Sequence, residues 1–378
     1  MRKAYLDNLR WMTILLVVIF HAGYFYNNIG NSAIFSGLPA FSGTITGMGL
    51  YQYLVYPWFM LLLFIISGMS ARYALQKRTD RQFWQNRVDK ILAPSTLGVL
   101  AFGWIGGYIQ YLMHADAMPM GIPVPVKLGI VLLSGIGALW FCHVVFLASL
   151  FLLILRRILL RMQIDDTDIS TWFTERWNWV IVWIGIGILF WTGSHFGNLP
   201  VIPVYRNGVY IPAFLSGYYI FSNEHMLMRL KQHLVLLLGC SVVTGIWYIR
   251  NCYGMAYSDV HVLARADVSI YAYSTAMLAL GIGFSCLHIR NAWTEFMRAH
   301  CFGIYVLHIP IMLVINYLLI GKEWPIGIVY SIECIGGFIC SLGLTYVIKR
   351  IPGIRYWVLG ERKPKGYIKK QENNENMC

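Results

Sequence analysis

Long apolar runs separated by short polar connections dominate this chain. Ten such segments can be drawn, at about 11–27, 51–75, 91–112, 139–160, 178–193, 209–222, 234–250, 268–288, 300–320 and 326–348. Several of them reach the roughly 20 residues a helix needs to cross a bilayer. The runs at 178–193 and 209–222 are short, which predicts tilted, broken or partly re-entrant elements. Strands of a membrane barrel would alternate over about 10 residues, and these runs are too long and too continuous for that. The pattern predicts an all-α, polytopic membrane protein with about ten transmembrane helices.

Composition agrees. The 378 residues are 58% hydrophobic and only 12% charged, with a mean hydropathy of +0.58; a soluble domain is about one quarter charged. The first apolar run is followed by Tyr24-Phe25-Tyr26-Asn27 rather than a small-residue cleavage motif, so it is expected to be a membrane helix and not a cleaved signal. With ten spans, all 30 Lys and Arg except Lys127, Arg206, Arg250, Arg265 and Lys322 fall on one side. That asymmetry predicts that both termini are cytoplasmic, in a multi-pass protein of the cell (plasma or inner) membrane. The net charge of +13 is then topology plus attraction to anionic lipid, and no nucleic-acid partner is implied. The eight cysteines are scattered without metal-ligand spacing, so no metal site is expected and they read as packing residues.

The connection 28–50 is uncharged and rich in Gly and Ser, as expected of a mobile loop. The connection 113–138 holds Pro119, Pro123 and Pro125 and then a short apolar piece, Leu128–Leu133, which predicts an interfacial or re-entrant element. The connection 161–177 mixes acids with basic flanks and reads as a solvated loop. The chain divides into a membrane domain, 1–360, and a polar, basic tail, 361–378, expected to be disordered.

Within this apolar background, each polar group asks for a reason. Arg10 and His21 are eleven residues apart in one run. Eleven residues of helix make about three turns and rise about 16 Å, so the two side chains share a face at different depths. An imidazole can act as a general base or as a nucleophile that carries an acyl group. A guanidinium suits phosphate or carboxylate, although an interfacial arginine is also a common membrane anchor. The densest cationic patch before the tail is Arg72, Lys77, Arg78, Arg81, Arg87 and Lys90, at the same expected membrane level as Arg10. Such a patch can hold a polyphosphate arriving from the cytoplasm, or it can simply reflect topology. His308, two residues before Pro310, and Glu333 are further intramembrane ionisable groups, either functional or structural.

These residues resemble those of a known family, the integral-membrane acyltransferase family 3. Leu6-Asp7-Asn8-Leu9-Arg10 followed by His21 resembles its signature of a basic residue, ten residues, then histidine. Phe64-Ile-Ile-Ser67-Gly68 resembles its second-helix motif. Arg87-Val-Asp-Lys90-Ile-Leu-Ala-Pro94 resembles an Arg-x-x-Arg stretch before proline, with lysine in the second basic position. Leu139-Trp140-Phe141 and Gly303-Ile-Tyr305-Val-Leu-His308 resemble further family stretches. The layout is similar to that of glucan-modifying members. The resemblance implies an acyl-coenzyme A donor, used as substrate rather than as a tightly bound cofactor, at the cytoplasmic face. It implies an acceptor hydroxyl on an extracytoplasmic glycan or glycolipid, and acetyl or succinyl as the acyl group. By motif, His21 is carried over as the catalytic residue and Arg10, Arg87 and Lys90 as donor contacts. Arg72, Arg78 and Arg81 are added from the patch. Ser67, Trp140, His308 and Glu333 are candidates for a pore or acceptor path. The rival expectation is a transporter or flippase coupled to protons through His308 and Glu333.

Overall fold

A computed structural model describes residues 3–24, 46–113, 121–197, 205–319 and 321–361. All regular structure among them is helical. Seven of these helices are long and apolar enough to cross a membrane: α1 (Ala4–Tyr24), α2 (Thr46–Leu75), the span ending α7 (Trp140–Arg161), α12 (Leu234–Cys252), α14 (Ala266–Cys286), α15 (Ala292–Leu319) and α16 (Ile326–Arg350). The outward faces are apolar, as on α12, where Val235 is 85% exposed and Val243 66%; such a face is compatible with lipid and not with water.

The other expected segments are helical but shorter or interrupted. The stretch 80–113, which contains the expected 91–112 segment, is a broken helix: α3 (Asp80–Arg87), a π-helical turn (Val88–Leu92), α4 (Ala93–Gly98), a second π turn (Val99–Gly103) and α5 (Trp104–Met113). Pro94 has no N–H to return to the preceding turn. Gly103 lies so close to the next element that a Cβ there would sit 2.8 Å from the Gly135 carbonyl oxygen. The apolar piece after the prolines is α6 (Val124–Ser134), too short to cross. After α8 (Asp166–Thr171), α9 (Trp179–Gly193) is one expected short element; α10 (Asn207–Ser216), continued by a π turn (Gly217–Phe221), is the other. Next come α11 (Glu224–Gln232), α13 (Val260–Leu263), between α12 and α14, and, after α16, α17 (Ile354–Leu359). Most of the 28–50 loop, part of the 113–138 connection and all but the first residue of the 361–378 tail lie outside the described residues.

One expectation changes. The connection 161–177 is not a plain solvated loop. Asp165 caps α8 by accepting from the Thr167 and Asp168 amides, and Asp166 turns inward. It pairs with Arg156 (2.8 Å) and Arg72 (3.3 Å) and accepts from the Tyr218 hydroxyl (2.7 Å), while Arg156 also pairs with Asp80. The segment is a folded clamp because two half-buried arginines, Arg72 and Arg156, are matched there by a counter-charge.

The core forms two apolar clusters, and α1 belongs to both. Tyr5, Leu9 and Phe20 pack with α2, α7, α10, α12 and α14, whereas Ile14, Val18 and Ala22 pack with α5, α15 and α16. The helix that carries Arg10 and His21 is therefore the seam of the molecule. Close approach of α2 to α10 fixes one wall: a Cβ on Gly68 would fall 1.8 Å from the Phe214 carbonyl oxygen. The glycine of the Ser-Gly stretch is thus required by packing. Gly68→Ala is expected to lower stability by about 1–3 kcal/mol, read as a lower thermal midpoint in detergent; an unchanged midpoint would refute this role.

Candidate active site

His21 lies one turn from the C-terminal end of α1, where the seam brings it against α15. Its Nδ1 is 2.9 Å from the Val17 carbonyl oxygen and 3.2 Å from Nε2 of His308, which is fully buried. His308 Nδ1 lies 2.8 Å from the Tyr305 carbonyl and 3.2 Å from that of Ile304. Two carbonyls around one ring nitrogen assign it a proton, because two lone pairs facing a third would repel. In the neutral ring, His308 Nε2 then carries a lone pair. His21 Nδ1 faces that lone pair and the Val17 carbonyl, so it too carries its proton. By the same reasoning the lone pair of neutral His21 is on Nε2. The second histidine fixes the tautomer of the first.

Stretches far apart in sequence converge here. Phe64 of α2 meets Phe141 of α7 at 4.7 Å between ring centroids, and Phe141 meets Tyr305 of α15 at 5.9 Å. Tyr305 meets His308 at 6.1 Å, and His308 meets His21 at 5.1 Å. The Tyr305 hydroxyl donates to the Ala138 carbonyl. Trp140 flanks this row against Tyr210 at 5.6 Å. On the other side of α1, Phe20 stacks on Tyr56 at 5.5 Å, and Gln52 Nε2 donates to the Tyr257 hydroxyl at 3.3 Å, with Gly23 against the Gln52 side chain.

The basic residues separate into distinct groups. Arg10 is held by Asp7 (3.2 Å) and by the Ser70 hydroxyl (2.8 Å). Ser70 is three residues beyond Ser67, on the same face of α2. Arg87 sits over the Phe83 ring at 4.6 Å, and its Nε is buried with no hydrogen-bond partner among the described residues. Burial, with Arg10 and Arg78 nearby, pushes the Arg87 guanidinium down to about 10. Three arginines therefore share one neighbourhood, with Lys90 exposed on the following turn. Arg72, by contrast, is committed to Asp166 and the Tyr218 ring, and Arg81 faces a different groove, between α3 and α7.

Ser67 is half-buried on α2 and makes no direct contact with the pair among the described bonds. Glu333 is fully buried on α16. Tyr330, one turn before it, donates to the Ile19 carbonyl, and Gly337, one turn after, packs on Met312 of α15. Glu333 thus lies in the same layer as the histidines. No cluster of His, Cys, Asp or Glu able to hold a metal occurs among the described residues. Sequence reasoning gave no role to Ser70, Tyr305 or Asp166. The spacing of Ser70 from Ser67 and of Tyr305 from His308, each one helical turn, was the available signal for the first two.

Residues 3–350 match a family model described as an acyltransferase domain. The chain belongs to the acyltransferase 3 family. Glucans biosynthesis protein C of Shigella boydii serotype 4 (strain Sb227) is 22% identical over 406 residues, covering 99% of this chain and 97% of that protein. No solved structure matches. With its apolar helices, this acyltransferase 3 member is a multi-pass membrane acyltransferase. A transporter without transferase chemistry does not fit that membership.

Proposed function

We propose that the enzyme moves an acyl group, acetyl or succinyl, from acyl-coenzyme A at the cytoplasmic face to a hydroxyl of a glycan or glycolipid on the other side of the cell membrane. The observation that carries the reading is the hydrogen bond between His21 and His308 at the seam, which leaves the lone pair of His21 Nε2 directed away from its own helix. The ten-span layout with both termini inside, a membrane domain ending near residue 360, and the basic tail after it belong to the same proposal. The name of the Shigella relative supports a glucan-like acceptor.

Arg10, Arg78 and Arg87, with Lys90, receive the donor's phosphates. A polyphosphate between them offsets their mutual repulsion and gives Arg87 Nε an acceptor. The pantetheine arm spans the roughly 16 Å from Arg10 to His21. Chemistry starts at His21 Nε2 by one of two routes. As a base, it takes the proton of the acceptor hydroxyl while that oxygen attacks the thioester carbon; the C–S bond breaks and the thiolate takes the proton back. As a carrier, Nε2 itself attacks, coenzyme A leaves as the thiolate, and the hydroxyl oxygen then displaces the imidazole at the acyl carbon, its proton passing to the thiolate. In both, His308 Nε2 accepts from Nδ1–H and steadies the positive ring. Tyr56, Tyr257 and Gln52, beyond His21, offer the rings and amide that suit a sugar.

Purified protein incubated with labelled acyl-coenzyme A and candidate glycans is expected to yield labelled glycan. No product from any glycan or glycolipid hydroxyl would overturn the reading. A burst of coenzyme A without acceptor selects the carrier route, and its absence the base route. His308 is a positioning residue. His308→Leu should lower kcat about 10-fold with little change in donor KM, and His308→Gln, which keeps an acceptor, should recover part of it. An equal loss in both variants would reduce His308 to packing.

A further inference from the structure

The groove between α3 and α7 is not used by this chemistry. It measures about 610 Å³ and is open on one side. Its floor is a helical stripe of α7, Leu150, Ile154 and Ile158, each 36–51% exposed. Its rim is Arg157 and Arg161 from the last two turns of α7 and Arg81 from α3. These three guanidiniums are exposed and have no carboxylate partner among the described residues. The one acid in the lining, Asp80, is already paired with Arg156. Trp84 closes the end, its ring 4.8 Å from Phe146. Aliphatic floor and cationic rim are stacked along a membrane-crossing helix: Leu150 to Ile158 covers about 12 Å, and the arginines follow at the end where headgroups lie.

We propose that this groove binds an anionic phospholipid of the leaflet on the basic side, with its phosphate on Arg81, Arg157 and Arg161 and an acyl chain along Leu150, Ile154 and Ile158. Charge decides the occupant: three unpaired cations over an apolar floor favour a lipid anion over a zwitterion. The floor disfavours a soluble polyphosphate, which would leave those side chains uncovered. Because α3 also carries Arg87, the lipid would brace the helix that presents the donor cluster, but the binding claim stands without the donor reading.

The full chain in phosphatidylcholine nanodiscs, with and without phosphatidylglycerol, tests this. Phosphatidylglycerol should raise the wild-type thermal midpoint by on the order of 3 °C. The triple variant Arg81→Gln, Arg157→Gln, Arg161→Gln should lose that shift. A control triple, Arg176→Gln, Arg229→Gln, Lys231→Gln, removes the same charge elsewhere and should keep it. Ile154→Trp fills the floor without changing charge and should lose it, which keeps the test decisive if the arginine triple does not fold. No phosphatidylglycerol shift in wild type, or equal loss in the control triple, would overturn the proposal. So would a matching shift by coenzyme A in phosphatidylcholine alone that the groove triple abolishes, since it would assign the groove to soluble phosphates.

Discussion

Replacing His21 with alanine is expected to abolish detectable acyl transfer, a loss of at least about 10²- to 10⁴-fold from acid–base help alone. Both routes begin at Nε2, and no other imidazole contacts His308 among the described bonds. Folding should survive. Two of the ring's bonds run to the Val17 carbonyl of its own helix and to His308, so the variant leaves His308 Nε2, a buried acceptor, short of that donor. That costs about 1–3 kcal/mol and shifts the thermal midpoint without collapsing it. Transfer by a folded His21→Ala protein at the wild-type rate would end the catalytic assignment.

The second large effect is on donor binding. Arg87→Gln should raise the donor KM roughly 10- to 10²-fold, the worth of charge-assisted hydrogen bonds to phosphate, with kcat changed far less. The same variant should leave the unliganded protein no less stable. Burial and the nearby Arg10 and Arg78 act against the charged form, as the depression to about 10 records. At neutral pH Arg87 still carries its proton, so the repulsion is present and glutamine removes it. A structural arginine would behave otherwise, with stability falling and KM unmoved. Rising salt should narrow the gap between variant and wild type, because it screens the attraction that Arg87 supplies.

Much of this was legible in the residues. The run from Arg10 to His21 stood out because an apolar helix has few reasons to hold either. Phe64, Phe141 and Tyr305 each lay in stretches that the sequence singled out, and they form one row of rings. Their meeting was not legible, and neither was the pairing of His21 with His308, 287 residues away; periodicity reports which face is apolar, not which helix covers it. The basic patch shows the same limit. Arg72, Arg81 and Arg87 look alike in a charge count, since that pattern encodes sidedness. Only the fold gives Asp166 to Arg72, leaves Arg81 over an aliphatic groove and encloses Arg87 without a partner for its Nε. The 161–177 connection read as solvated because local composition cannot reveal that Arg72 and Arg156 converge on Asp166. The break in the 91–112 helix was half visible in Pro94, but not the backbone approach at Gly103.

The most direct test is vectorial transfer in oriented proteoliposomes, with labelled acyl-coenzyme A supplied only on the face that carries Arg10 and Arg87 and the glycan acceptor only on the other. Wild-type protein should deposit label on the far-side acceptor, and His21→Ala protein should deposit none. Label that appears only when donor and acceptor share a face, or equally with the alanine variant, would contradict a histidine at the seam of α1 and α15 passing the acyl group between the two sides.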